Sequence, residues 1–412
     1  MTVTYAIVGA GQRGTSYADW IAANPDRARV VAVAEPRPAA RQRVGGREFT
    51  SWQELAEQPR LADVAIICTQ DAEHVEPAVA LARKGYHLMV EKPMAPNERD
   101  CRRIVSAVHE AGVLFAVCHV LRYRPYNRVV KDLLDEGRIG DIVSVQHLEP
   151  VGFWHFAHSY VRGNWRRTDT STFSLMSKSC HDIDWLRHVV GKPIRSVASF
   201  GSLRHFRRAE QPDGAGERCL SCAVEQTCPY SAKRIYLGML RAGRTGWPVN
   251  VLTDDVTEAG VTEALRDGPY GRCVYTSDND VVDHQVVAMD FEGGATATFT
   301  MAAFTPHADR RTQILGTRGF LDGNGSRVLV HDFVSDTATT VKTLSDFDGI
   351  DTDTGHGGGD AGLMDAFTTA VATGDPSTIL SGPDESLETH LAVFAAERAR
   401  LTGTVQQVSA TG

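Results

Sequence analysis

The opening residues hold a pattern that can cradle a phosphate. Gly9-Ala10-Gly11-Gln12-Arg13-Gly14 fits G-x-G-x-x-G and follows an apolar run, Thr4 to Val8, that reads as a buried strand. The first glycine makes a tight turn. The second lets the backbone approach a pyrophosphate, and the third lets helix and strand pack closely. A pyrophosphate held there rests on the positive end of the following helix. A second strand-like run ends in Glu35, 21 residues past Gly14. A carboxylate at that place accepts both ribose hydroxyls of NAD and repels the extra phosphate of NADP. Arg37 and Arg41 could accept that phosphate instead, so NADP remains the lesser alternative.

Such a loop needs alternating strands and helices around it. Short apolar runs recur at 4–8, 29–34, 63–67, 86–90 and 113–117, with amphipathic segments between them. That rhythm predicts a doubly wound parallel sheet covered on both faces. After about residue 122 the rhythm changes. A helix is expected over 125–136. Longer alternating strands follow at 142–149, 193–200, 284–291 and 295–302, the last two joined by a turn at Gly293-Gly294. The expected architecture is therefore α/β followed by α+β: a Rossmann domain at 1–122 and an open antiparallel sheet domain at 123–412. Residues 201–283 are polar and loop-rich and read as an insertion. Residues 383–402 read as a final helix with Leu387, Leu391, Phe394 and Leu401 on one face.

Composition narrows the setting. The 412 residues are 42% apolar and 23% charged, and the 43 basic and 51 acidic residues leave a net charge of −8. Such a chain is not built for non-specific nucleic-acid binding. No apolar run is long enough to cross a membrane, and the first strand begins by residue 4, so a cytoplasmic protein is expected.

Further motifs carry a resemblance. Val90-Glu91-Lys92-Pro93-Met94-Ala95 closes one strand, and Thr69-Gln70-Asp71-Ala72-Glu73-His74 follows another. Arg138-Ile139-Gly140-Asp141-Ile142 opens the second half, and His181-x-x-Asp184 lies in a helical stretch. With these motifs nearly the whole chain resembles the glucose–fructose oxidoreductase / inositol dehydrogenase (Gfo/Idh/MocA) family. The resemblance implies a site in a cleft between the domains, with Lys92 and His181 near the nicotinamide. It adds Thr69, His74 and Glu91 to the cofactor contacts. It also implies a homodimer or homotetramer built through the second sheet. The chemistry agrees: oxidising a secondary alcohol needs a hydride acceptor and a group that takes the hydroxyl proton, which a histidine or a depressed lysine can do. One departure stands out. The family often has an aspartate four residues before this histidine, where this chain has Ser177 followed by Lys178. Lys178 or Asp184 would then replace it, with Tyr160 as a further candidate for the proton relay.

Two other stretches carry chemistry. Phe153 to Arg167 holds two histidines and three arginines and no acid. Aromatic faces pack on sugar rings and Arg forks bind carboxylate or sulfonate. His155, His158, Tyr160, Arg162, Trp165 and Lys178 are thus candidate substrate contacts, with an oligomer contact as the alternative for the patch, and Asp184 of the helical motif is counted as a further substrate contact. Arg310-Arg311 and the glycine-rich His356 to Asp360 are placed at the same cleft. In the insertion, Cys219, Cys222 and Cys228 form C-x2-C-x5-C, and Cys273 is the best fourth thiol. They predict a structural zinc that staples a segment lacking a core of its own. Cys68, Cys101, Cys118 and Cys180 read as core residues.

The expected activity is NAD-dependent hydride transfer from a secondary ring hydroxyl of a sugar or cyclitol. The alternative is a redox-neutral glycosidase that oxidises, eliminates, hydrates and reduces on a retained NAD, as some relatives resemble, including ones for sulfonated sugars. A non-catalytic NAD sensor is disfavoured because Lys92 and His181 are both present.

Overall fold

Strand β1 (Val3–Val8) is buried at every residue but Thr4, which places it inside a sheet rather than at an edge. The structure is a computed structural model and describes residues 1–343 and 356–408. Parallel strands β2 (Ala28–Ala34), β3 (Arg47–Phe49), β4 (Val64–Ile67), β5 (His87–Val90) and β6 (Phe115–Val117) complete a sheet of order β3-β2-β1-β4-β5-β6. Helices α1 (Gln12–Ala23), α2 (Pro38–Val44), α3 (Trp52–Glu57), α4 (Val75–Arg83) and α5 (Glu98–Ala111) alternate with them. The order reverses between β1 and β4, which opens a crevice at the strands' carboxyl ends. The five expected strands are all present. Strand β3 was not expected: two of its three residues are exposed charges, so it carries no apolar signal.

Helix α6 (Pro125–Asp135) leads to a second sheet. Its strands are β7 (Ile142–Pro150), β8 (Ile194–Ser202), β9 (His284–Phe291), β10 (Thr296–Ala302), β11 (Arg311–Gly316), β12 (Gly319–Gly323), β13 (Arg327–Asp332), β14 (Thr337–Thr343) and β15 (Gln406–Gln407). The order is β14-β13-β12-β11-β7-β10-β9-β8-β15. All neighbours run antiparallel except β10 and β7. The β9–β10 turn places Gly293 and Gly294 at φ +88° and +91°, a region open to glycine. Strands β11 to β14 carry a sheet extension that sequence patterning missed, because polar residues interrupt each short run.

Short helix α7 (Phe153–Phe156) follows β7, and α8 (Ser174–Val190) is buried on nearly every side. A helix enclosed all round lies between layers, and charges on it need partners. The insertion between β8 and β9 carries α9 (Gly238–Arg241) and α10 (Glu258–Asp267). It has its own apolar cluster, which includes Ile235, Tyr236, Leu237, Val249, Val261 and Leu265. The expectation that it lacks a core is corrected.

Two helices close the chain, α11 (Gly359–Thr373) and α12 (Pro383–Thr402). Helix α12 buries Leu391 and Phe394 as expected, but Leu401 is 68% exposed. Helix α11 returns to the first sheet, where Leu363, Met364 and Phe367 pack with Tyr5, Ile7, Tyr17 and Ile66. Residues late in the chain thus complete the core around β1. Phe367→Ala is expected to destabilise the protein by about 3–5 kcal/mol, with Phe367→Leu costing less. Calorimetric unfolding of the two variants checks this.

Candidate functional site

At the nucleotide end of the crevice the three glycines do different work. Gly9 has φ +90°, and a Cβ there would lie 2.6 Å from the Cys68 carbonyl oxygen. A Cβ on Gly14 would lie 2.0 Å from the Gly9 oxygen. A Cβ on Gly11, at the N-cap of α1, would meet nothing within 4 Å. Two glycines are therefore demanded by packing, and the third borders free space at a helix N-terminus. That space suits a pyrophosphate.

Glu35 follows β2 directly and receives the Ala10 N–H at 2.8 Å and the Arg37 N–H and Nε–H at 3.1 and 2.7 Å. Burial pushes its carboxyl up, yet these hydrogen bonds more than offset that and hold it below the usual range. Arg41 donates to the Glu35 and Pro36 carbonyls and to Glu48. Both arginines are thus tied down beside a carboxylate that stays ionised. Gln12 is exposed and reaches Asn250 of the insertion at 3.5 Å.

Three residues expected to touch the cofactor are engaged elsewhere. The Arg13 guanidinium binds Glu91 at 2.6 Å, Asp360 at 2.6 and 2.9 Å, and the Tyr17 hydroxyl at 2.5 Å. Glu91 also accepts the Lys92 N–H at 3.0 Å. The imidazole of His74 sits between the Pro93 and Thr69 carbonyls, at 2.9 and 3.1 Å. These bonds hold the loops after β4 and β5 in register, which gives the three residues a positioning role beside the glycine loop. Thr69 differs: its Oγ1 is buried and has no partner. A buried hydroxyl left without a partner is a group that a bound dinucleotide would satisfy.

A second cluster of candidate residues lies where the loop after β5 meets α8. Lys92 Nζ donates to the Ser177 carbonyl at 2.6 Å. Ser177 therefore serves the lysine through its backbone, while its hydroxyl turns back to the Phe173 carbonyl at 3.3 Å. One turn later His181 is buried, and neither ring nitrogen has a partner. Burial, then the Lys92 charge, drives its pKa well below the ordinary histidine value, so it is neutral. His356 stands 5.7 Å from His181, ring to ring, and is held by Asp360 at 3.3 Å. The glycine-rich stretch thus does face the cleft.

Lys178 pairs with Glu149 at 3.1 Å, and Arg310 bridges Glu149 and Asp182, with His147 at 3.2 Å from Asp182. Tyr160 is buried beside this network; burial, then the charge of Glu149, keeps its phenol protonated. Sequence reasoning missed Glu149, His147 and Asp182. For Glu149 and His147 the available signal was polar residues at inward positions of β7, on the face that buries Val145, while Asp182 lies on α8, one residue past His181.

Other expected contacts lie away from the cleft. Asp184 is fully buried and accepts both Arg122 Nε and Nη2 at 2.7 Å, with Thr389 adding a bond at 3.3 Å. It has nothing left for a substrate, so that assignment is corrected. Arg162 is 1% exposed and donates to the Arg272 and Tyr230 carbonyls at 2.8 and 2.9 Å and to Cys219 Sγ at 3.4 Å. Carbonyls in the insertion hold its Nε and Nη2, while its Nη1 is buried without a partner, and the side chain lies against the insertion and not at the Lys92–His181 cluster where the anion site was expected. His158 bonds the Tyr236 hydroxyl at 2.9 Å and stacks on Tyr270. Trp165 is partly buried, 6.2 Å from the Tyr160 ring. His155 alone of these reaches the cleft rim, in the field of Lys178 and Lys92.

Cys219, Cys222, Cys228 and Cys273 line one cavity of about 20 Å³ with Arg162, and all four are free thiols. Among the described residues no three His, Cys, Asp or Glu side chains are disposed to hold a metal ion. The zinc expectation is not supported. The insertion has its own core, and an arginine cation already sits against Cys219.

Comparison with known proteins follows this geometry. Residues 3–119 match the model described as "Oxidoreductase family, NAD-binding Rossmann fold", and residues 131–400 match its companion "C-terminal alpha/beta domain". The chain belongs to this oxidoreductase family, Gfo/Idh/MocA. It is 25% identical over 267 residues to the putative oxidoreductase YteT of Bacillus subtilis, 64% of this chain and 60% of the relative. It is 27% identical over 206 residues to a 2,7-anhydro-N-acetylneuraminate hydratase of Escherichia coli, 49% of this chain and 54% of the relative. The matched stretches thus span less than two thirds of these relatives. The structure of a levoglucosan dehydrogenase with NADH and levoglucosan superposes with a TM-score of 0.72 at 18% identity, covering 99% of this chain and 100% of the other, a likeness of fold. No helix among the described residues is long and apolar enough to cross a membrane.

The buried histidines make stability depend on pH. Burial lowers His119 and His158 to about 3 and His188 to about 4, and lowers His181 and His390. Below about pH 6.5 the unfolded chain binds protons that the folded chain refuses. Stability is expected to be full above that value and to fall steadily as pH drops towards 4. Denaturant midpoints across the range check this, and a flat profile contradicts it.

Proposed function

We propose that the protein uses NAD to oxidise a secondary ring hydroxyl of a sugar or cyclitol in the cleft between residues 1–122 and 123–412. The observation that carries this reading is Lys92 Nζ, held at 2.6 Å by the Ser177 carbonyl, next to a neutral His181 with two unpartnered nitrogens. When bound, NAD supplies the hydride acceptor. His181 takes the hydroxyl proton on a ring nitrogen. Lys92 donates a hydrogen bond to the same oxygen and stabilises its developing charge. Lys178, Glu149, Asp182 and Arg310 form the polar floor that orients the remaining hydroxyls. Tyr160 stands in reserve for the proton relay. Glu35 selects NAD by binding the ribose hydroxyls. On the second sheet, exposed Val143, Phe200, Val286 and Leu315 support a homo-oligomer contact.

A second reading keeps the same first step and makes the net reaction hydrolysis of a glycoside, with the hydride returned. It is favoured by the similarity to a relative described as a hydratase. A panel of sugars and aryl glycosides, followed at once for released NADH and aglycone, separates the two.

His181→Ala and Lys92→Ala are each expected to lower turnover by about a hundredfold or more, with NAD affinity much less affected in His181→Ala. Near-normal turnover in His181→Ala would pass the role to Lys178 or Tyr160. Because His181 is held neutral, the acid limb of kcat/KM is expected well below the ordinary histidine range near 6.5. Glu35→Ser is expected to relax the preference for NAD over NADP. An unchanged preference in competition assays would refute that role.

A further inference from the structure

The insertion sends one segment back across the cleft. Trp247, 42% exposed, meets the His155 ring edge-on at 4.8 Å and the Trp154 ring at 5.4 Å. His307, from the loop after β10, closes the fourth side at 5.2 Å from Trp154 and 5.6 Å from His155. Gly152 makes that closure possible: its φ is +90°, and a Cβ there would lie 2.7 Å from the His307 Cα.

These four rings border the reacting groups. His155 feels Lys178 and Lys92, and burial with those charges keeps it neutral. Its Nδ1 is buried and has no partner. The four side chains include no carboxylate. Three residues beyond Trp247, Asn250 reaches Gln12 of the glycine loop, and Asp254 lies in the field of Arg37. One strap therefore touches both the nucleotide end and the substrate end of the cleft.

We infer that Trp154, His155, Trp247 and His307 form a second ring-binding subsite, so that the substrate is a glycoside rather than a free monosaccharide. This rests on the reading above, in which the reacting ring lies at Lys92 and His181. Aromatic faces bury the apolar face of a sugar or aryl ring, and the free nitrogen of His155 offers one hydrogen bond to a hydroxyl or glycosidic oxygen.

The test is calorimetric binding to the NAD-loaded protein. The probes are the methyl glycoside, the phenyl glycoside and a disaccharide of each of glucose, galactose and glucuronic acid. In at least one series the second ring is expected to tighten binding about tenfold over the methyl glycoside. A gain from phenyl alone assigns an aryl leaving group, and a gain from the disaccharide assigns a sugar. Trp247→Ala should erase the gain and leave methyl glycoside affinity unchanged, and Trp247→Phe should keep most of it. If the second ring gives no gain in any series, or if Trp247→Ala weakens methyl glycosides equally, the subsite is refuted. Because the readout is binding, a failure of the hydride-transfer reading would show separately, as turnover absent in a protein that still discriminates the second ring.

Discussion

The bidentate pair of Arg122 and Asp184 is the contact on which the rest of the site depends. Arg122 leaves the end of the first sheet just after β6, and Asp184 lies on α8. Arg122 also donates to Glu385 at 2.6 Å and to the Leu380 carbonyl at 2.5 Å, both by the start of α12. One side chain with no exposed surface thus ties the nucleotide half to helices α8 and α12 of the second half. A buried ion pair is favourable only when its remaining hydrogen bonds are made, and removing one partner costs about 3–5 kcal/mol. Here the donors and acceptors are matched. Helix α8 is fixed in rotation, and Lys178 and His181 are presented to Lys92 on the facing loop.

From that constraint the cleft acquires its character. Its floor holds Lys178 and Arg310 against Glu149 and Asp182, a set whose charges offset one another. The nearby histidines are neutral because burial disfavours their charged form. What remains uncompensated is the charge of Lys92 and the unpartnered imidazole nitrogens of His181 and His155. A polar, uncharged ring with hydroxyls to be held and one to be deprotonated fits those groups.

Where sequence reading succeeded, the signal was local. The glycine loop, the places of Glu35 and Lys92 just past strand ends and the strand rhythm of the first sheet are set by turns and periodicity within a few residues. It failed where a partner lay far along the chain. Asp184 looks like a helix-face companion of His181, but its partner Arg122 is 62 positions away. Arg162 looks unpaired because the carbonyl that receives its Nε–H belongs to Arg272, 110 positions on. The cysteine spacing resembles a metal knuckle, yet nothing local shows that Arg162 arrives among the thiols. Arg13 sits inside the phosphate motif and still bonds Asp360, 347 positions later. Charged residues announce that a partner is needed and leave open which one.

The central claim is that a ring carbon gives its hydride to nicotinamide in this cleft, whichever net reaction follows. A single-turnover experiment on the NAD-loaded protein tests it most directly, with the ultraviolet absorbance of reduced nicotinamide followed after mixing with the sugar and glycoside panel. The account predicts that this absorbance rises with an active substrate, then persists for an oxidation or decays for a redox-neutral hydrolysis, and that the rise is slower when the reacting ring carbon carries deuterium. Product formation with no reduced nicotinamide at any time and no isotope effect would contradict it.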